Sequence, residues 1–456
     1  MTAMKMIHGP TYAEMREPSR LPAELRQRAA FAARHEPLDP VNLFNITWHD
    51  ADGRVRAVRL PVALTGVEAP IVLLYAKDFP TGAHKVGATY SVLMEHQLVG
   101  DVQPGVSTLV WPSTGNYGIG GSWVGPRMGY TSVVILPEDM SAERFEKIAA
   151  YGATAIKTPG CESNVKEIYD ECKRLAARPE VRVMNQFQEM ANYRWHHHVT
   201  GAAAAEAVAA LGVGRPAAFV SAMGSAGTIA AGDFLKERFA TKIVGLEPVQ
   251  CPTLSRNGYG GHAIEGIGDK HVTWIHNAMN TDAMMCIDDE ECLLGLQLLS
   301  DPLGRDFLAQ DAGLGEFAHT LSTLVGISGV CNILGAIKTA RWLGLGKNDA
   351  VVTIATDGLD RYPSVMRRLS ERMGPLTRQG AEIRLASIFR GQKLDGIFEG
   401  TREARERWHN LKYFTWVEQQ GKTVEELDAQ RSPAWWRDQA SLADEMDLRL
   451  REARGW

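Results

Sequence analysis

Little in this sequence marks the chain for an oxidising compartment. Its six cysteines, Cys161, Cys172, Cys251, Cys286, Cys292 and Cys331, are spread through 456 residues with no C-x-x-C pair. That is too sparse for a disulfide scaffold and predicts a reducing cytoplasm. Long hydrophobic runs are missing too. The most membrane-like stretch, Thr200 to Gly214, is Ala-rich, too short to span a bilayer, and carries Glu206. The first twenty residues mix Lys, His, Glu and Arg with no apolar core, so no signal peptide and no membrane partner are expected. Charge of one sign is also lacking: 49 Lys and Arg against 54 Asp and Glu leave a net −5. So weak a field gives no basic face to neutralise phosphates, and no nucleic-acid partner is expected. Neither G-x-x-x-x-G-K-[ST] nor a helix-opening G-x-G-x-x-G with a following acid is present, which excludes a P-loop and leaves a dinucleotide site unsupported. No internal repeat or low-complexity tract is found.

What is present is globular: 45% hydrophobic and 23% charged residues, enough for two domains or one large one. From about Val106 to Asp357, short β-branched runs alternate with Ala-rich helical patterns. Strands are predicted at Ser107–Trp111, Ser132–Leu136, Val181–Met184, Ala217–Ala222, Lys242–Leu246 and Ala350–Ala355. Helices are predicted at Ser141–Tyr151, Asn164–Ala177, Gly201–Leu211, Ile229–Phe239 and Val330–Leu343. Continuous apolar strands joined by helical crossovers predict an α/β fold with a mostly parallel sheet. Upstream, Asp52-Gly53 predicts a hairpin around Asp50–Arg54. Beyond about residue 371 the chain is rich in Arg, Glu and tryptophan. This tail is predicted helical and amphipathic, its aromatics packing on the α/β body or across a subunit interface.

Three Gly-containing segments follow strands: Ser113-Thr114-Gly115-Asn116-Tyr117, Gly224-Ser225-Ala226-Gly227-Thr228, and Thr356-Asp357-Gly358. Loops at the carboxyl ends of parallel strands converge on one crevice, so the three should share a site. The run Gly224–Thr228 precedes a helix, where unpaired N–H groups and the helix dipole favour a phosphate. A tight turn that binds nothing is the alternative for each loop. Lys85, in Pro80-Thr81-Gly82-Ala83-His84-Lys85, runs from a turn into the helical Val86–Leu98. Alone it reads as a surface charge; upstream of an anion-binding loop it reads as chemistry. His196-His197-His198 reads as a solvated or packed helix start and is not expected to hold a metal, because consecutive helical residues point apart. Asp288 to Glu291 reads as a charged helix start.

With these motifs in order, the sequence resembles the fold-type II pyridoxal-phosphate enzymes, among them cysteine synthase, cystathionine β-synthase, threonine synthase and the tryptophan synthase β chain. The segment ending at Lys85 is similar to the tryptophan synthase β lysine motif, which implies that Lys85 forms the Schiff base with pyridoxal 5'-phosphate. Ser113-Thr114-Gly115-Asn116 resembles the loop that holds the substrate carboxylate, with Asn116 beside the cofactor's 3′ oxygen. Gln186-Phe187 is similar to a pair whose glutamine also reaches that carboxylate, and Gly224, Ser225, Ala226, Gly227 and Thr228 resemble the phosphate cup. Glu247-Pro248 and His262–Gly268 are similar to cysteine synthase segments. The resemblance implies two interlocked parallel-sheet domains with a helical C-terminal extension: residues 1–104 with 186–370 binding the cofactor, 105–185 as a smaller mobile domain, and 371–456 as the tail. It also implies a homodimer acting on a small amino acid at Cα and Cβ through an aminoacrylate, by β-replacement or by deaminating elimination.

Departures matter. Tyr117 stands where cysteine synthases carry a small threonine, narrowing the pocket or offering a phenol. Against the pyridine nitrogen the family places Ser or Thr; this chain offers Thr356 or Asp357, and its sequence leaves both open. Outside the enzyme class, a non-catalytic cofactor-binding regulator competes, and so does a phosphate binder that would use the Gly224 loop alone.

Overall fold

The computed structural model describes residues 6–113, 115–160 and 165–455. Among the described residues, eleven strands run β1 Ala57–Leu60, β2 Ile71–Tyr75, β3 Thr108–Pro112, β4 Thr131–Pro137, β5 Thr154–Thr158, β6 Val181–Val183, β7 Arg215–Ala222, β8 Lys242–Pro248, β9 Ala283–Ile287, β10 Asp349–Ala355 and β11 Ile397–Glu399. Strand β2 shows why the sheets sit where they do. Its Ile71-Val72-Leu73-Leu74 is apolar without alternation, and every one of the four is fully buried. Side chains of a strand point alternately to its two faces, so Ile71 and Leu73 enter one core and Val72 and Leu74 the other. Helices therefore cover both faces, as in a parallel α/β sheet.

The strands form two sheets. Seven line up as β1-β2-β10-β7-β8-β9-β11, parallel from β2 to β9, with antiparallel β1 and β11 closing the edges. The other four, β5-β4-β3-β6, are all parallel and all lie between Thr108 and Val183. In the first sheet Val351 pairs with Ile71, and in the second Thr108 pairs with both Thr131 and Val181. This is an α/β fold with a helical C-terminal region. The helix Lys85–Leu98 packs on the helices Asn116–Arg127 and Met190–Trp195, which places its first residue where the two sheets meet.

Three expectations change in detail. The Asp50–Arg54 turn forms, with Gly53 at φ +80° and Asp50 N donating to Arg54 O at 2.8 Å, but the hairpin extends only to one bridge between His49 and Val55. The three histidines do not start a helix. They belong to a π-helical turn, His196–Thr200, between the helices Met190–Trp195 and Gly201–Leu211. The tail is not wholly helical either: its β11 pairs with β9 before the helices Arg402–Asn410, Lys412–Trp416, Val424–Ala429 and Pro433–Arg454. Asp288 caps the helix Asp289–Ser300 by accepting from Glu290 N and Glu291 N. No single helix among the described residues is long and apolar enough to cross a membrane.

Of the tail aromatics, Trp408, Trp416 and Trp436 pack on the body, whereas Tyr413 and Phe414 are exposed. Trp416 is fully buried, donates from Nε1 to Val272 O at 2.8 Å, and meets Tyr169, His271 and Trp274 edge-on or tilted. Truncating a buried indole forfeits its transfer energy and leaves a cavity. Trp416→Ala is expected to cost about 3–5 kcal/mol by urea unfolding. A loss under about 1 kcal/mol would show that the tail is not part of the cooperative fold.

Candidate active site

The lysine turn is held from several sides. Gly82 takes φ +72°, Ala83 bridges to Asp357, and His84 N donates to Thr356 O at 3.3 Å. Arg361 donates to the carbonyls of Thr81 and Gly82. The His84 ring spans Thr356 O, 3.2 Å from Nδ1, and Thr228 Oγ1, 3.0 Å from Nε2. Lys85 thus enters a cavity lined also by Ser113, Gly115, Asn116, Tyr117, Gln186, Phe187, Gly224, Ser225, Ala226, Thr228, Asp269, Ser328 and Thr356. Its Nζ donates to Ser225 Oγ at 2.7 Å and to Gln186 Oε1 at 3.3 Å. Burial lowers the pKa of the amine to about 8, against the Asp269 carboxylate, which raises it. Such a lysine is partly neutral near physiological pH and nucleophilic.

The Gly224–Thr228 turn offers donors without acceptors. The N–H groups of Gly224, Ser225, Ala226, Thr228 and Ile229 have no partner among the described residues, just before the helix Ala230–Phe239. Ala226 adopts φ +62°, which turns successive N–H groups to one side. Gly227 lies behind the wall and does not line the cavity; a Cβ there would sit 2.1 Å from Asn192 Oδ1. Asn192 ties the turn to the Gln186 loop, donating to Gln186 O at 2.9 Å and Ser225 Oγ at 3.1 Å.

On the opposite wall, Ser113 Oγ accepts from Gly115 N at 2.9 Å and Gly118 N at 2.8 Å, shaping its own loop. Thr114 lies outside the described residues. Asn116 is gripped at both ends of its amide: Nδ2 donates to Asp357 Oδ2 at 2.6 Å, and Oδ1 accepts from Arg361 Nε at 2.8 Å. The Tyr117 hydroxyl is buried with no hydrogen-bond partner among the described residues, and burial holds its pKa far above the ordinary phenol value. At the far end Thr356 Oγ1 and Ser328 Oγ pair at 2.6 Å, both on the cavity surface. Asp357, the other alternative for the pyridine nitrogen, does not line the cavity. Its Oδ2 accepts from Asn116 and from the Tyr362 hydroxyl at 2.8 Å, behind the wall.

An amine, a cradle of unpaired N–H groups, a hydroxyl pair and an unpartnered phenol fit an aldehyde-bearing aromatic phosphate. The family model described as "Pyridoxal-phosphate dependent enzyme" matches residues 55–357. The chain belongs to this family. Its cofactor is pyridoxal phosphate. A probable cysteine synthase of Bacillus subtilis is 31% identical over 289 residues, 62% of this chain and 85% of that relative. An O-acetylserine-dependent cystathionine beta-synthase from Helicobacter pylori has a similar structure, with a TM-score of 0.57 and 26% identity over 68% of this chain and 95% of that one. An O-acetylserine sulfhydrylase from Entamoeba histolytica shares the fold, with a TM-score of 0.59 at 24% identity over 73% and 92% of the two chains. The family match stops before the aromatic tail.

Sequence reading passed over several side chains of this pyridoxal-phosphate enzyme. Asp269 directly follows the Gly266-Ile267-Gly268 run that drew attention, which was signal enough to find it. Asn192, Ser328, Arg361 and Tyr362 sit in ordinary helical or loop sequence with no local pattern.

Proposed function

We propose that this enzyme exchanges the substituent at Cβ of a small amino acid by β-replacement of the cysteine synthase type, as a homodimer, with Lys85 as the cofactor lysine. The observation that carries the reading is the Lys85 amine, its pKa lowered by burial, set between Ser225 and Gln186 at the convergence of three strand-end loops. When bound, pyridoxal phosphate supplies an electron sink conjugated to Cα. The protein does the rest. The N–H groups of Gly224, Ser225, Ala226 and Thr228 would hold the phosphate, and Thr356, backed by Ser328, would meet the ring nitrogen. The loop Ser113 to Asn116, with Gln186, holds the substrate carboxylate and so selects the Cα–H bond that breaks. Lys85, whose amine reaches into the cavity, would take the Cα proton as base. Tyr117 narrows the pocket beside the loop. Residues 105–185, around the four-stranded sheet, close over the substrate and exclude water, which would otherwise favour elimination.

The test is product stoichiometry with an O-acylated serine and a thiol or amine nucleophile. One β-substituted amino acid per acyl group released is the expected result. Release of pyruvate and ammonia in that proportion would move the assignment to deaminating elimination.

A further inference from the structure

Four titratable side chains line the cavity: His84, Lys85, Tyr117 and Asp269. Burial lowers the His84 imidazole to about 3 and raises the Tyr117 phenol, so both are neutral near physiological pH. Charge in the cavity therefore rests with Lys85 and Asp269. The Asp269 residue is 7% exposed, and its carboxyl has no hydrogen-bond partner among the described residues. Its backbone is well anchored: Gly268 N donates to Met223 O at 2.8 Å, Gly268 holds φ +81°, and Asp269 O accepts from Thr253 Oγ1 at 2.8 Å. The fold fixes this residue firmly and gives its side chain nothing to hold.

A carboxylate with no partner in a desolvated cavity weakens a fold, so this one is not explained by stability. We propose that Asp269 is a second acid–base residue of the active site, opposite Lys85, handling the proton of the group that leaves or joins Cβ. As the bond from Cβ to the leaving heteroatom breaks, its electron pair goes to that atom and the Asp269 proton follows. As a neutral nucleophile adds, its bond to Cβ forms and its proton returns to the Asp269 carboxylate. The role widens the substrate class beyond O-acylated serines to leaving groups that are poor as anions, such as hydroxyl or amine, and to nucleophiles that arrive carrying a proton.

The electrostatics are consistent with such a cycle. Burial raises the Asp269 carboxyl to about 7, and the Lys85 charge pulls it down. The other titratable groups it influences are the Tyr169 phenol and the Cys251 thiol, both neutral at that pH. While Lys85 is uncharged the downward pull is absent and the carboxyl holds its proton; once Lys85 has taken the Cα proton, its charge favours release of the Asp269 proton to the departing atom.

This inference rests on Lys85 as the cofactor lysine, and its test separates the two. In cofactor-free protein, the rate of Lys85 modification by an amine reagent is followed against pH. Asp269→Asn is expected to lower the apparent Lys85 pKa, because a neighbouring negative charge is gone; an unchanged profile would refute the pairing. In cofactor-loaded protein, Asp269→Asn is expected to keep the visible cofactor band and to lose about 10²–10⁴-fold in turnover of serine. Turnover of β-chloroalanine, whose chloride leaves without a proton, is expected to fall less than about tenfold, with Asp269→Glu restoring part of the serine rate. Equal losses on the two substrates would overturn the role of Asp269. Should the Asn variant not fold, Asp269→Ser is read in the same way. A wild-type protein without a borohydride-sensitive band would instead overturn the reading of Lys85.

Discussion

Lys85→Ala is expected to lose the borohydride-sensitive visible band and at least about 10³-fold in activity while keeping its fold. The variant removes both the anchoring amine and the group proposed to take the Cα proton. Ser225 Oγ and Gln186 Oε1 lose their donor, but Ser225 keeps Asn192 Nδ2 and Gln186 still donates to Pro112 O, so the walls remain tied together. Burial works against the ammonium, so removing it offsets part of the cost of the two lost hydrogen bonds and the lost packing. The sign is testable. The folded pKa of Lys85, about 8, lies below its ordinary value of 10.5, so between these the unfolded chain binds the extra proton. Wild-type stability should therefore gain a rising contribution with pH across that window, and Lys85→Ala should lack it. Urea midpoints across the alkaline range, together with the absorbance spectrum, measure both effects. A variant that keeps the band would place the anchoring amine elsewhere.

The second large effect is expected at Arg144, in the helix Ala142–Ala150 that follows β4. Its fully buried side chain reaches across to the seven-stranded body, where Nε donates to Glu265 Oε2 at 2.7 Å and Nη2 donates to the Tyr362 hydroxyl at 3.3 Å. Ser141 Oγ also donates to Glu265 Oε2, at 3.1 Å. Beyond Tyr362 the chain of bonds continues through Asp357 to Asn116. The guanidinium also backs the proposed carboxylate loop closely, since a Cβ on Gly115 would fall 1.8 Å from Nη1. Arg144→Met keeps much of the volume and removes the cation from beside an almost buried carboxylate. Breaking one side of such a pair is expected to cost about 3–5 kcal/mol. The loosened loop should raise KM more than it lowers kcat. Replacing both partners, Arg144→Met with Glu265→Leu, should recover most of the stability but not the KM, because an apolar pair fills the space without holding the loop. A single variant as stable as wild type would show that the pair does not join the two sheets.

Between about Val106 and Asp357 strands were legible where the chain is apolar without alternation; β1 and the equally apolar β2 lie upstream of that stretch and were not read. All six predicted strands form, because β3, β4, β6, β7, β8 and β10 carry the β-branched runs that a doubly covered sheet needs. Three of those not read have identifiable reasons. Thr154-Ala155-Ile156-Lys157-Thr158 is the outer strand of its sheet, with only Thr158 fully buried, so it lacks a continuous apolar run. Ala283-Met284-Met285-Cys286-Ile287 is wholly buried but built from residues of weak strand preference. The Ile397–Glu399 strand is three residues long and forms only because β9 presents an edge to it.

By itself the sequence determined the α/β class, the family, the cofactor, and the order of the lysine, the Gly-rich turns and the Thr356-Asp357 pair. Those features are local: a turn, a helix start and a strand run each depend on neighbours a few residues away. Only the tertiary structure decided that Asp357 turns behind Asn116 while Thr356 stays on the cavity wall with Ser328. It alone brought Asp269, 184 positions further along the chain, to face Lys85. Which of two adjacent side chains enters a cavity depends on strand twist and on partners hundreds of residues distant, and a carboxyl becomes an acid near neutral pH only when the whole fold has taken water away from it.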